Sequence, residues 1–379
     1  MNGIPVAGGS PETDGSPETG GSPAAGGSPE TGGSPEALAE AAPPSRGPRR
    51  PRTGTPSRRP GSLRRTTTHT SLRPDGLLGE VHLTAAGRDL WTGPAGQSEG
   101  RARATVEAVV EYTGGRQLRS LRIEPHRAGD RPEVLQGRSV ASGLRKALAE
   151  ALPGESPGSL RYQLLDDLPT AVLVSGYAMG AGGLHIPRSS FDFHFNADVC
   201  AGWATGASLL SEADLLGRVP HARGPVAPSL ACDGDDGAWH EVGPMSAHAM
   251  RRWRRLDVWR PASAGPVEVE AFFRDSHVDV DGVETVVHEY LVSATLEPSS
   301  LAFRDIRAEV AVLPWPECPS AAASAGRLIG SQPGDLRTRV RADFTGTSTC
   351  THLNDTLRSL ACLPDLVGEL AGATGTAGT

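Results

Sequence analysis

Apolar and polar residues alternate along Val81-His82-Leu83-Thr84, which is the signature of a strand with one buried face. Two further strands, over 104–112 and 117–123, flank the turn Gly114-Gly115 and read as a hairpin. Ser139 or Ser142 then caps a helix through Leu152, with Leu144, Leu148 and Leu152 on one face and Pro153-Gly154 as its stop. A second helix is predicted over 160–168. The same order returns later in the chain. A strand spans 267–273, Asp281-Gly282 makes a turn, and long strands follow over 284–296 and 302–313. Helices are predicted near 319–329, 334–344 and 349–362.

The recurrence extends to residues. Leu63-Arg64-Arg65, Arg73-Pro74, Val81 and Arg88-Asp89 return as Met250-Arg251-Arg252, Arg260-Pro261, Val267 and Arg274-Asp275. Leu135-x-Gly137, Leu144-Arg145 and Leu164-x-Asp166-x-Leu168 return as Leu328-x-Gly330, Leu336-Arg337 and Leu353-x-Asp355-x-Leu357. The pattern predicts an α+β fold made by tandem duplication, each copy an antiparallel sheet with C-terminal helices packed on it. The first copy is assigned to 63–183 and the second to 250–367, joined by an insertion at 184–249. In that insertion Phe191-x-Phe193-x-Phe195 alternates as a strand would, with Asp192, His194 and Asn196 on its other face. Residues 368–379 read as a disordered end.

Composition changes the picture at the N-terminus. Ser-Pro recurs every six residues from Ser10 to Ser34, and residues 1–45 carry six acids and no Lys or Arg. Residues 46–74 carry nine Arg and no acid. Such low-complexity sequence buries too little apolar surface to offset its ordering entropy, so residues 1–62 are expected to be a disordered, solvated tail. No aromatic residue interleaves the arginines for base stacking, which argues against nucleic acid as a partner. Of 37 basic residues only Lys146 is lysine, so arginine abundance reflects a high-GC, bacterial coding bias rather than phosphate binding. Five scattered cysteines argue against a disulfide framework and for the cytoplasm. No stretch suits a membrane span. The pair Asp166-Asp167 reads as an exposed helix face, and Arg251-Arg252-x-Arg254-Arg255 as a solvated strand edge. If single-copy relatives dimerise, the fused chain is a monomeric pseudo-dimer.

The sharpest chemistry lies at Thr349-Cys350-Thr351-His352-Leu353-Asn354-Asp355. With Ser348 or Thr349 as N-cap, Cys350 falls in the first helical turn, where amide N–H groups favour a thiolate. Asp355, three residues after His352, shares its face and is placed to orient the imidazole. His288-Glu289 lies mid-strand, so only one of the two can enter a site, and the apolar neighbours favour Glu289 as the more buried. In the first copy Cys350-Thr351-His352 aligns with Arg161-Tyr162-Gln163, and His288 falls near Thr105. Scaffold residues persist in both copies while the Cys and His do not. That is the pattern of a second copy that keeps a site and a first that has become structural.

Arg251-Arg252, His288-Glu289, Cys318-Pro319, Leu328-x-Gly330 and Cys350-Thr351-His352-Leu353 together resemble an uncharacterised bacterial family, a domain of unknown function ending in Gly-Cys-Thr-His-Leu. Thr349 replaces the usual Gly, and Glu289 stands where Asp is common. The resemblance implies no reaction. The residues point to a small-molecule enzyme, a Cys/His-assisted lyase or hydrolase on a carbonyl or acyl substrate, with Cys350, His352, Asp355, His288 and Glu289 as its catalytic set. Two alternatives stand: a non-catalytic binding or scaffold module, and a zinc protein using Cys318, Cys350, His352 and His288.

Overall fold

The computed structural model describes residues 43–184, 193–261 and 265–375. Eight antiparallel strands form one continuous sheet: β1 (Ser62–Leu72), β2 (Val81–Thr92), β3 (Ser98–Val110), β4 (Leu118–Glu124), β5 (Met250–Trp259), β6 (Val267–Val278), β7 (Glu284–Leu296) and β8 (Phe303–Val312). Their order across the sheet is β4-β3-β2-β1-β5-β6-β7-β8. Each half contributes a four-strand meander, and the two meet where β1 pairs antiparallel with β5. The mixed α and β content and the antiparallel pairing agree with the sequence. The sheet is one and unbroken where two had been expected.

The ladders of the two halves share two irregularities, and β7–β8 has one more, between Glu289 and Tyr290. A bulge lies between Asp89 and Leu90 where β2 meets β3, and another lies 186 residues later, between Asp275 and Ser276 where β6 meets β7. A second pair follows at the same spacing, between Val109 and Val110 and between Thr295 and Leu296. Arg65 faces Asp89 across β1–β2 as Arg252 faces Asp275 across β5–β6. Ala102 lies opposite Asp89 as His288 lies opposite Asp275. The structural counterpart of His288 is therefore Ala102, three residues from the Thr105 that sequence alignment gave.

Helices cover one face of the sheet. In the first half α1 (Leu144–Ala151) and α2 (Leu160–Val174) bury Leu144, Leu148, Leu164 and Leu168 against Val81, Leu83, Val106 and Val110. In the second half α5 (Leu336–Asp343), α6 (Thr351–Ser359) and α7 (Leu363–Gly375) bury Leu336, Leu353, Leu357 and Leu366 against Val269, Phe273, Tyr290 and Val292. Residues 318–328, read as an α-helix, form a 3₁₀ run rich in Ala and Ser. Between the halves lie α3 (Tyr177–Ala181) and, in the insertion, α4 (Ser208–Leu216), whose Leu209, Leu210 and Ala213 join the second-half core. The expected Phe strand differs: the described part, Phe193–Asn196, is a 3₁₀ turn, and Phe191 and Asp192 lie outside the described residues.

Residues 368–375, expected to belong to a disordered end, instead continue α7, and residues 1–42 and 376–379 of the expected tails lie outside the described residues. Three further expectations are corrected by partners that come from far along the chain. Residues 43–61 are not a solvated tail. They run beside the outer edge of β8, with Arg50 N–H donating to Ala311 O (3.0 Å) and Leu313 N–H donating to Pro48 O (3.1 Å), which protects an exposed strand edge. They then cross the face opposite the helices, where the Arg58 guanidinium pairs with Asp235 at 2.8 Å. The strand with four arginines is central, and Arg251, Arg252, Arg254 and Arg255 are all buried. Asp166 and Asp167 are buried too. Asp166 takes both Arg358 (2.5 and 2.8 Å) and Arg337, and Asp167 pairs with Arg254 at 3.1 Å. Across the junction Arg145 reaches Asp355 (3.6 Å) and Arg337 reaches Asp166 (3.2 Å).

Candidate functional site

The site forms where β6, β7 and the start of α6 meet on the helix-covered face. The bulge decides how it is built. Opposite Asp275 and Ser276, β7 supplies His288, Val287 and Val286, so Val287 is the extra residue and the strand is re-aimed beside His288. His288 then stacks on His352, the second residue of α6, with ring centroids 3.6 Å apart and planes 20° from parallel. Both rings turn a nitrogen to the same oxygen of Asp275. His288 Nδ1 is 3.9 Å and His352 Nε2 is 4.0 Å from Asp275 Oδ2. The imidazoles keep 13% and 20% of their side-chain surface exposed, against 1% for Asp275, so a small molecule reaches the rings before the carboxylate.

Arg252 fixes that carboxylate. Its Nε and Nη2 donate to the two Asp275 oxygens, each at 2.9 Å, and its Nη1 donates to Asp355 at 2.6 Å. The fork of a guanidinium matches a carboxylate, so the pair sets orientation as well as charge. The first half keeps the same device: Arg65 donates to Asp89 at 2.7 and 2.6 Å and to Gln163 at 3.0 Å. There Ala102 stands opposite Asp89 where His288 stands opposite Asp275, and Gln163, which the sequence alignment sets against His352, accepts from Arg65.

Burial holds both imidazoles neutral. It drives His288 well below the ordinary histidine range, helped by His352 and opposed by Asp275. Burial and then the nearby Arg252 push His352 down to about 3. Because the folded values are depressed, the unfolded chain binds protons that the folded chain does not, and stability falls as pH drops from about 6.5 towards 3. Each imidazole costs at most about 1.4 kcal/mol per pH unit in that window. Urea unfolding at pH 7 and pH 5 is expected to show the loss. His288→Ala/His352→Ala is expected to flatten the slope; an unchanged slope would mean that the pair is not neutral in the folded chain.

The sequence-predicted residues are only partly brought together. Cys350 is the N-cap of α6, one residue later than expected, and its Sγ lies 4.0 Å from His352 Nδ1. Burial pushes its thiol up despite the neighbouring Tyr290 hydroxyl and the Leu353 and His352 amides, so it rests as a thiol. Cys318 is likewise buried and raised by burial. Brief treatment of the folded chain with a thiol reagent is expected to label Cys232, which is part-exposed, ahead of the buried Cys200, Cys318, Cys350 and Cys362. Peptide mapping that finds Cys350 labelled first would contradict the resting thiol.

Asp355 does not orient His352. Its carboxylate accepts from Arg252, Arg254 and Thr170, and the arginines hold it well below the usual carboxylate range against burial. Glu289 points to the other face of β7, fully buried, where it accepts from Arg274 Nε and from Arg52 N–H, each at 2.6 Å. His288, not Glu289, therefore enters the site. The carboxylate beside the rings is Asp275, whose Arg-Asp motif had been read only as scaffold. Its recurrence in both halves marks it as scaffold, and only its cross-strand pairing with His288 places it beside the rings.

Among the described residues, Asp275, His288 and His352 form a group whose ligand atoms lie within 4.8 Å of one another. The zinc set read from sequence, with Cys318 and Cys350, is not that group. A larger cavity of about 620 Å³ lies on the opposite face, lined by Arg52, Pro56, Cys232, Arg255, Phe272 and Leu291, and it touches neither imidazole. No helix among the described residues is long and apolar enough to cross a membrane. No curated protein and no solved structure matches the chain. Residues 250–364, from β5 through α6 to the start of α7, match a family described as a protein of unknown function (DUF2889).

Proposed function

We propose that this protein is a small-molecule enzyme, a hydrolase or lyase acting on a carbonyl or acyl compound, with one reacting centre per chain at His288 and His352. The observation that carries the reading is the stacked imidazole pair, neutral and part-exposed over a carboxylate that Arg252 holds in place. A neutral imidazole accepts a proton from water or from a substrate carbon, and the imidazolium so formed is stabilised by Asp275. Cys350 is the neighbour of His352 Nδ1 rather than the resident nucleophile, because its thiol is buried and protonated.

The chain is further read as a tandem duplication fused into a pseudo-dimer. The bulges at matched positions, the repeated Arg-Asp forks and the reciprocal Arg145–Asp355 and Arg337–Asp166 contacts support it. Reciprocal contacts of this kind are what a two-fold interface produces. The copy lacking the imidazoles then serves as support. Turnover of a panel of activated esters, thioesters and β-keto acids tests the enzymatic reading. Wild type is expected to turn over at least one class and His288→Ala to lose it. Turnover by His288→Ala at the wild-type rate would reject the assignment.

A further inference from the structure

We propose that Asp275, His288 and His352 bind one divalent transition-metal ion of the zinc type per chain. The inference rests on the same residues as the enzymatic reading and changes their role: with their lone pairs on an ion the imidazoles would no longer take the proton, and a water held by the ion would supply the base. Two rings and a carboxylate converge from three elements: Asp275 from β6, His288 from β7 and His352 from α6. Ligands bonded to one tetrahedral zinc ion at about 2.1 Å lie about 3.4 Å apart. The two nitrogen-to-oxygen distances, 3.9 and 4.0 Å, are about half an ångström longer than that. All three donors lie within 4.8 Å of one another, so closure asks the stacked rings to rotate about their side-chain bonds until both lone pairs converge on the ion.

Two independent observations point to a missing partner. His288 Nδ1 is buried with no hydrogen-bond partner, and it is the nitrogen that faces Asp275. A buried polar atom left in this state is costly unless something ligates it. The surroundings also supply the outer contacts that metal ligands need. Arg252 grips Asp275 through both oxygens, and the far nitrogen of His352, Nδ1, lies 3.4 Å from Thr351 Oγ1 and 4.0 Å from Cys350 Sγ. Such contacts fix ring orientation and leave the inner nitrogen free to ligate.

Imidazole donors with one carboxylate suit zinc, cobalt or iron(II) and do not suit magnesium or calcium, which take oxygen ligands. Arg252 opposes a cation here, and Asp275 with Asp355 offset the two guanidiniums of Arg252 and Arg254. Selectivity therefore comes from the imidazoles rather than from net charge. The first half, with Ala102 and Gln163 in place of the rings, holds no second site.

The full chain is stripped with a chelator, then titrated with cobalt(II) and with zinc, following visible absorption, calorimetric stoichiometry and melting temperature. One equivalent is expected to bind, to raise the melting temperature and to give a cobalt spectrum without a thiolate charge-transfer band. Magnesium and calcium are expected to leave the melting temperature unchanged. His288→Gln and His352→Gln, which keep volume, are expected to lose the cobalt spectrum while Gln163→Ala keeps it. No binding by a folded wild-type chain, binding untouched by both histidine variants, or a thiolate band that disappears in Cys350→Ser would each overturn the proposal. If the ion fails to bind but turnover still depends on His288, the metal falls and the reacting centre stands. If the ion binds at these residues and no panel compound turns over, the metal stands and the enzymatic reading falls.

Discussion

Arg252→Ala is expected to destabilise the protein by about 3–5 kcal/mol, the cost of leaving buried carboxylates without their cation. Arg252 is 2% exposed, and it holds Asp275 with two hydrogen bonds and Asp355 with a third. Its removal strands Asp275 outright and leaves Asp355 to Arg254 and Arg145. Arg65→Ala in the first half removes the same fork from one carboxylate, Asp89, and is expected to cost less. Lysine is not a substitute, because an ammonium cannot make the two parallel bonds, so Arg252→Lys is expected to recover only part of the loss. Urea denaturation of the three variants checks the order. A loss below about 1 kcal/mol for Arg252→Ala, in the range of a surface ion pair, would show that the fork does not hold Asp275 in place.

His352→Ala is expected to lower turnover by about 10²–10⁴-fold, the usual contribution of a positioned acid–base group. The ring lies at the edge of the core, near Phe273 at 6.4 Å and stacked on His288, and it keeps some exposure. Its loss removes little packing and relieves a desolvated imidazole, so the melting temperature should move by only a few degrees. Cys350→Ala should be milder in turnover than His352→Ala, because the thiol touches the far nitrogen only. If Cys350→Ala were the more damaging change, the thiol would be the reacting atom and the imidazoles its support.

Much of this was legible in the chain. Strands at 284–296 and near 303–312 and the turn at Asp281-Gly282 follow from alternation and turn chemistry, which are local. The second helix of the first half ran longer than expected, to Val174, through Pro169. What failed to be legible depends on distant partners. The arginines of β5 look like a solvated edge until β1 and β6 bring Thr70, Glu270 and Asp275 beside them. Asp166 and Asp167 look exposed until Arg337, Arg358 and Arg254 arrive from more than eighty residues away. The residues 46–61 carry the composition of a tail and yet lie along β8 and across the sheet, because strand edges accept any backbone.

The site was half legible for the same reason. Cys350, His352 and His288 were found as residues absent from the first half. Asp355 reads as the partner of His352 because helix spacing is visible in a sequence, whereas the cross-strand pairing that brings Asp275 to the rings is not. The bulge recurs in both halves, so the 186-residue spacing of Asp89 and Asp275 also relates Ala102 to His288, as the ladders show.

The central claim is that chemistry belongs to the imidazole pair of the second half and that the first half supports it. The most direct test measures melting temperature and turnover on the same preparations of His352→Ala and Gln163→Ala, the two matched positions. His352→Ala is expected to keep its fold and lose turnover, whereas Gln163→Ala is expected to keep turnover at some cost in stability. Turnover retained by His352→Ala, or lost equally in both, would contradict it.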